Sequence, residues 1–255
     1  MNKFKNYILF LILFLIASLY IWQLFMKNKE GFNNIDMYVI SLKHTDRLEN
    51  IKTQENKINE KIEIFDAVKG DTLDIQTLLK TNTITDKYKN ANKKEKRVIG
   101  CYLSHLNLLK KIKENNSCKY TIIFEDDFDI VISNFCQEVQ NIIRKMEKYD
   151  FDLLFLGNLQ NNKGQHMIDT IYKMNVDENL WGTHGYIVNN KNIDKIIDKV
   201  KIMDEPIDNK YEKLGKNNEL NIFIVHPTIV NQCGLKSDIH DSVENYSNMI
   251  HYSIL

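Results

Sequence analysis

The sequence predicts an α/β domain standing behind one apolar span, and three observations carry that expectation. The chain has 255 residues, 43% of them hydrophobic, which is enough for one sizeable buried core. Short continuous apolar runs alternate with amphipathic helical periods, the pattern of a three-layer α/β domain. An apolar run from Tyr7 to Phe25, broken only by Ser18 and Gln23, precedes them.

That run is 19 residues long. At a rise of about 1.5 Å per residue it covers most of a hydrocarbon core of about 30 Å, so the sequence predicts one transmembrane helix. Lys3 and Lys5 precede it, whereas Glu30 partly offsets Lys27 and Lys29, so the charge bias places residues 1–6 in the cytoplasm. The expectation is a single-pass type II membrane protein facing the endoplasmic reticulum or Golgi lumen in a eukaryotic or viral setting, or held at the cell membrane in a bacterium. Residues 26–34 read as a stem, 35–240 as the domain and 241–255 as a tail without clear period.

Met37–Leu42 reads as the first strand, and Thr45 or Asp46 as the cap of the following helix, with Glu49 completing a capping box from Asp46. A short strand at Ile62–Phe65 leads into Ala67-Val68-Lys69-Gly70. Thr81–Arg97 is lysine-rich and without apolar period, so it reads as a mobile loop or lid. Ile99, Leu103, Leu106, Leu109 and Ile112 share one helix face. Tyr120–Phe124 reads as a buried central strand, Phe135–Met146 as an amphipathic helix, Leu153–Leu156 as another strand, Trp181–Val188 as a glycine-punctuated loop entering a strand, and Ile222–Val225 as the last clear strand.

Lysine plus arginine and aspartate plus glutamate both number 34, so no global field points to nucleic acid as a partner. The four cysteines form no C-x-x-C pair, which argues against structural zinc, leaves a disulfide open and makes small buried residues the simpler reading. Asn115 and Asn245 fit the N-glycosylation tripeptide.

The feature richest in chemistry is the strand Tyr120–Phe124 running straight into Glu125-Asp126-Asp127. Ligands bind beyond the carboxyl ends of strands in open α/β sheets, and like charges crowded there are relieved by a cation. Oxygen ligands suit Mn²⁺ or Mg²⁺. A helix-start cluster favoured by the helix dipole is the plainer alternative.

The chain resembles glycosyltransferase family 25, which includes lipooligosaccharide and procollagen galactosyltransferases. The resemblance rests on Tyr38-Val39-Ile40-Ser41-Leu42 with Thr45-Asp46-Arg47, Phe65–Gly70, Ile99-Gly100-Cys101-Tyr102-Leu103-Ser104-His105 and Ile123–Asp127. Gly182-Thr183-His184-Gly185-Tyr186, Pro206-Ile207-Asp208, Pro227 with Gln232, and Ser237-Asp238-Ile239 extend it over the soluble part.

The resemblance implies a single GT-A-type nucleotide-sugar-binding domain with a mixed central sheet that uses a UDP-sugar and a metal, and inverts configuration. It implies Glu125 and Asp127 as metal ligands and Arg47, Ser104, His105 and Asp126 on the donor. A general base is needed across the sugar from the metal; Asp208 is the first candidate, followed by His184 and Asp204. Galactose or glucose is the expected sugar, and a glycan or protein hydroxyl the acceptor. Where family members commonly carry Gly-Glu before the Ile-Gly-Cys block, this chain has Arg97-Val98. A catalytically silent, membrane-tethered binding or scaffold protein of the same fold is the rival reading, and a metal-dependent phosphoesterase a weaker third.

Overall fold

The computed structural model describes residues 13–20, 34–115, 117–159, 164–175 and 179–234. Residues 13–20 are helical and exposed, while the rest of the expected span over 7–25, nearly all of the stem, the Ser237-Asp238-Ile239 block, Asn245 and the tail over 241–255 lie outside the described residues. Among the described residues no helix is long and apolar enough to cross a membrane.

An eight-stranded mixed sheet organises the rest, with spatial order β2-β1-β3-β8-β5-β9-β7-β6. Its strands are β1 (Ile35–Ser41), β2 (Glu63–Asp66), β3 (Tyr120–Glu125), β5 (Leu153–Phe155), β6 (Gln165–Ile168), β7 (Ile171–Lys173), β8 (Gly185–Asn189) and β9 (Ile222–Val225). β1 runs parallel to both β2 and β3, so the carboxyl ends of all three open on one edge. β8 is antiparallel to both β3 and β5. A separate two-stranded ribbon joins β4 (Phe128–Ile130) to β10 (Val230–Gln232), bringing Gln232 opposite Phe128 beside the acidic run.

Strand alternation divides the core into two layers. Tyr38, Ile40, Ile123, Phe155 and Tyr186 face one side with α3 (Lys93–Asn115), α5 (Ile193–Val200) and α6 (Ile207–Lys216). Met37, Val39, Ile122, Phe124 and Leu154 face the other with α1 (Thr45–Ile58) and α4 (Phe135–Met146). The mixed α/β class read from the sequence is the class observed.

Two local expectations are corrected. α1 starts at Thr45 with His44 at the cap position and no side-chain cap, so the Asp46–Glu49 box does not form. The lysine-rich segment is no lid: Ile84 and Tyr88 are buried, Thr85 N–H donates to the Met203 carbonyl at 3.0 Å, and Met203 N–H donates to the Thr83 carbonyl at 2.9 Å. α3 begins inside it, six residues before Ile99, because Asn92 and Glu95 cap each other reciprocally, Asn92 N–H to Glu95 Oε2 at 2.8 Å and Glu95 N–H to Asn92 Oδ1 at 3.0 Å. α2 (Ile75–Lys80) is capped by Asp74, which accepts from the N–H groups of Gln76 and Thr77. Among the described residues no disulfide forms.

Candidate active site

The carboxyl ends of β1 and β3 open into a cavity of about 410 Å³. Arg47, Ser104, His105, Glu125, Asp126 and Asp127, widely separated in sequence, all line it. Asp208 and His184 do not line it.

α1 supplies the first wall. Arg47 is 3% exposed and sets its Nη1 3.3 Å from Asp126 Oδ1 and 3.2 Å from Asp127 Oδ2. One turn on, Asn50 Nδ2 donates to the carbonyls of Asp126 at 3.1 Å and Phe128 at 2.9 Å. Another turn on, Gln54 Oε1 accepts from Ile130 N–H at 3.0 Å. One helix face therefore fixes the acidic turn by both its charge and its backbone.

α3 supplies the second wall. Gly100 passes so close to the loop after β2 that a Cβ there would come 2.6 Å from the Val68 carbonyl. Ser104 Oγ donates to the Gly100 carbonyl at 2.7 Å and accepts from Val68 N–H at 2.8 Å, so its hydroxyl ties helix to loop. His105 is fully buried between Tyr186 Oη, 2.9 Å from its Nδ1, and Glu125 Oε1, 3.1 Å from its Nε2. An ionised carboxylate only accepts, which puts a proton on Nε2.

The carboxylates of Glu125 and Asp127, two residues apart, differ in partners. Glu125 Oε1 also accepts from Thr183 Oγ1 at 2.5 Å. Burial alone would push its carboxyl up, but the hydrogen bond and charge of His105, with Thr183, bring it below the ordinary value. Asp127 Oδ2 accepts from Gln232 Nε2 at 2.7 Å, whereas its Oδ1 is buried without a hydrogen-bond partner. Burial and the neighbouring Glu125 charge push the Asp127 carboxyl up to about 6 against the pull of Arg47.

A buried, unsatisfied carboxylate oxygen next to further acidic oxygens fits a hard divalent cation, so Mn²⁺ or Mg²⁺ fits Asp127 with its neighbours. Cys101, His105 and Glu125 also gather a sulfur, a nitrogen and an oxygen within 4.8 Å of one another. Burial first, then the surrounding carboxylates, push the Cys101 thiol well above its ordinary value, so it is held as a thiol and suits a cation less well.

The two base candidates stand outside that lining, and the Glu125 charge bears on both. His184 is buried with Nε2 3.0 Å from the Val230 carbonyl; this makes Nε2 the donor and leaves Nδ1 without a hydrogen-bond partner. Burial holds its imidazole below the ordinary value. Gly182, at φ +84°, lies against this ring, and a Cβ there would meet Nδ1 at 2.9 Å. Asp208, in the first turn of α6, is half-buried; it accepts from Asn209 N–H at 2.9 Å and Gly182 N–H at 3.3 Å. Burial raises its carboxyl, and the Glu125 charge adds to that rise. Asp204 is committed to Lys210 at 2.6 Å.

Gln232, Thr183, Tyr186 and Asn50 complete the site, and no role for them was read from the sequence. The four-residue spacing of Cys101 and His105 on one helix face was the available signal on α3; Gln232 stands out in the sequence only within the block it forms with Pro227, and its reach to Asp127 across 105 residues has no local pattern. Arg97, at the position that departs from the family pattern, lines the cavity with its Nε 3.7 Å from Asp71 Oδ1.

Residues 34–211 match the model of glycosyltransferase family 25 (LPS biosynthesis protein), and the chain belongs to that family. It is similar to procollagen galactosyltransferase 1-A of Xenopus laevis, 28% identical over 194 residues, covering 70% of this chain and 31% of the relative. Procollagen galactosyltransferase 1-B of the same frog is 26% identical over 192 residues, with the same coverage. The chain thus spans about a third of the length of these relatives. Among solved structures, A197 from STIV superposes with a TM-score of 0.44 at 8% identity, over 77% of this chain and 83% of that one. Apo UDP-glucose pyrophosphorylase gives 0.41 at 12% identity, over 85% and 97%. Likeness at these scores fixes neither detail of fold nor function.

Proposed function

We propose that the chain is a metal-dependent, inverting glycosyltransferase that moves a hexose, galactose or glucose, from a UDP-sugar to an acceptor hydroxyl. The observation that carries this reading, given the family, is the unsatisfied Asp127 oxygen in a cavity walled by Arg47 and the acidic run. Asp127, with Glu125 or Asp126, would hold Mn²⁺ or Mg²⁺, which when bound supplies positive charge against the departing diphosphate. Arg47 sets the charge and the place of the two aspartates, and Arg97 and Lys69 add cationic lining for the diphosphate.

On the acceptor side, Asp208 takes the hydroxyl proton onto its carboxylate as the acceptor oxygen bonds to the anomeric carbon and the carbon–oxygen bond to the diphosphate breaks. Its two backbone hydrogen bonds fix its orientation, and its raised carboxyl is a stronger base than an ordinary aspartate. His184 ranks second because its one protein-free nitrogen is enclosed. The apolar run over 7–25 would anchor the domain in a membrane in the type II sense, and protease protection of an epitope fused after Leu255 in sealed vesicles tests that orientation.

The test of function is thermal unfolding of the detergent-solubilised full chain with UDP, UDP-galactose or UDP-glucose, each with Mn²⁺ or EDTA, because a ligand of the native state raises its stability by mass action. A metal-dependent rise with UDP or one UDP-sugar supports the reading. No rise with any of them overturns it in favour of a silent, tethered scaffold.

A further inference from the structure

Beside α6, which carries Asp208 in its first turn, lies a second hollow of about 350 Å³, between that helix and the loop before β8. Its lining includes Trp181, Asn179, Asn209 and Glu212. Trp181 is 45% exposed, an unusual state for the largest aromatic side chain.

The backbone beneath that indole is nevertheless fixed at every point. Trp181 N–H donates to Asn158 Oδ1 at 3.0 Å, its carbonyl accepts from Leu159 N–H at 3.1 Å, and Leu180 N–H donates to Glu212 Oε2 at 2.9 Å. The next residue, Gly182, donates to Asp208 itself. The ring is thus mounted on a braced strap whose following residue holds the proposed base.

The charges around the hollow are paired. Lys216 Nζ is 2.7 Å from Glu212 Oε1, and Lys213 Nζ is 3.3 Å from Glu205 Oε1. Two acids and two cations leave no net charge to select an ion. Amides and carboxylates beside one apolar aromatic face suit a neutral polyhydroxylated ring, whose C–H face packs on the indole while its hydroxyls find donors and acceptors.

We propose that Trp181 is the platform of an acceptor subsite that binds a neutral glycan and delivers a sugar hydroxyl to Asp208. This rests on the transferase reading for its role in the reaction, but the binding itself does not require turnover. Asp208 links the two sites: its charge bears on Glu125 and Cys101 of the donor cavity, while its neighbour Asn209 lines the hollow.

The chain has two tryptophans, Trp22 and Trp181, so the full-length Trp22→Phe variant reports on Trp181 alone. Its fluorescence is titrated with lactose, with N-acetyllactosamine and with a serine- and threonine-bearing peptide, without donor or metal. A saturable change with a disaccharide supports the proposal. No change with either disaccharide, or a change with the peptide only, overturns it. Saturation-transfer NMR on the better disaccharide then compares Trp181→Phe, expected to bind within about threefold of the parent, with Trp181→Ala, expected to bind roughly tenfold more weakly. Equal binding by all three also overturns it. The response of the parent chain's thermal unfolding to UDP with Mn²⁺ reads the donor site by itself, so failure of the transferase reading and failure of the subsite show in separate measurements.

Discussion

The two ends of the acidic run at the tip of β3 lie two residues apart and share a sign of charge, but their surroundings oppose each other. Toward α3, Glu125 is embraced by His105 and Thr183, and His105 is in turn backed by Tyr186. Toward α1, Asp127 shares one oxygen between Arg47 and Gln232 and leaves the other bare. The first arrangement satisfies Glu125 Oε1 from within the protein; the second keeps a buried oxygen that no protein group meets, which is where the proposed cation would bind. Proximity in sequence therefore does not assign role; hydrogen-bond satisfaction does.

The sharpest break of that contrast is Asp127→Asn, expected to lower transfer on the order of a thousandfold because charge that holds the metal is lost. Its unfolding temperature should stay level or rise, since a buried charge is removed. Transfer at the parent rate would remove Asp127 from metal binding. Asp208→Asn should lower kcat about a hundredfold or more with donor affinity little changed. A base must be ionised to act, so parent activity should fall as pH drops through the Asp208 value, which burial sets above that of an ordinary aspartate. Asp208→Asn should lose that limb; retention of the limb would move the role to His184.

On the satisfied side, His105→Ala should cost about 3 kcal/mol of stability, because Glu125 and Tyr186 lose their shared partner in a buried place. Urea unfolding measures this, and a change under about 0.5 kcal/mol would erase the distinction between the two ends. The smallest effect is expected for Ser104→Ala, about 1 kcal/mol, from orphaning Val68 N–H. Unchanged stability with a weakened response to UDP would instead make the hydroxyl a donor contact.

Much of this architecture was legible because burial on both faces writes itself as composition. β9 is an unbroken apolar run, β3 is apolar but for Thr121 until it ends at Glu125, and α4 declares its face through Phe135, Val139, Ile142, Ile143 and Met146. β4, β7 and β10 were not legible: each is three residues long and owes its existence to its partner. The start of α3 was missed for another reason, since its apolar period begins only at Ile99, although Asn92 and Glu95 stand at capping-box spacing. Within the site, the acids and Arg47 stood out as charges beside an apolar strand. That Arg47 touches both aspartates, and that the residue after Trp181 holds the proposed base, depend on pairings between distant segments that no local pattern encodes.

The ladder of Arg47, Asn50 and Gln54 also bears on the order in which the molecule assembles. Each of its contacts with residues 126–130 spans more than seventy positions of chain. During synthesis the helix bearing the ladder emerges long before the acids do, and β3 must dock beside β1 before the aspartates meet their counterions. The proposed cation site would then exist only once these strands have paired. A chain stalled before β3 carries no acidic run, and the pairing of β3 with β1 is also what brings the acids beside Arg47.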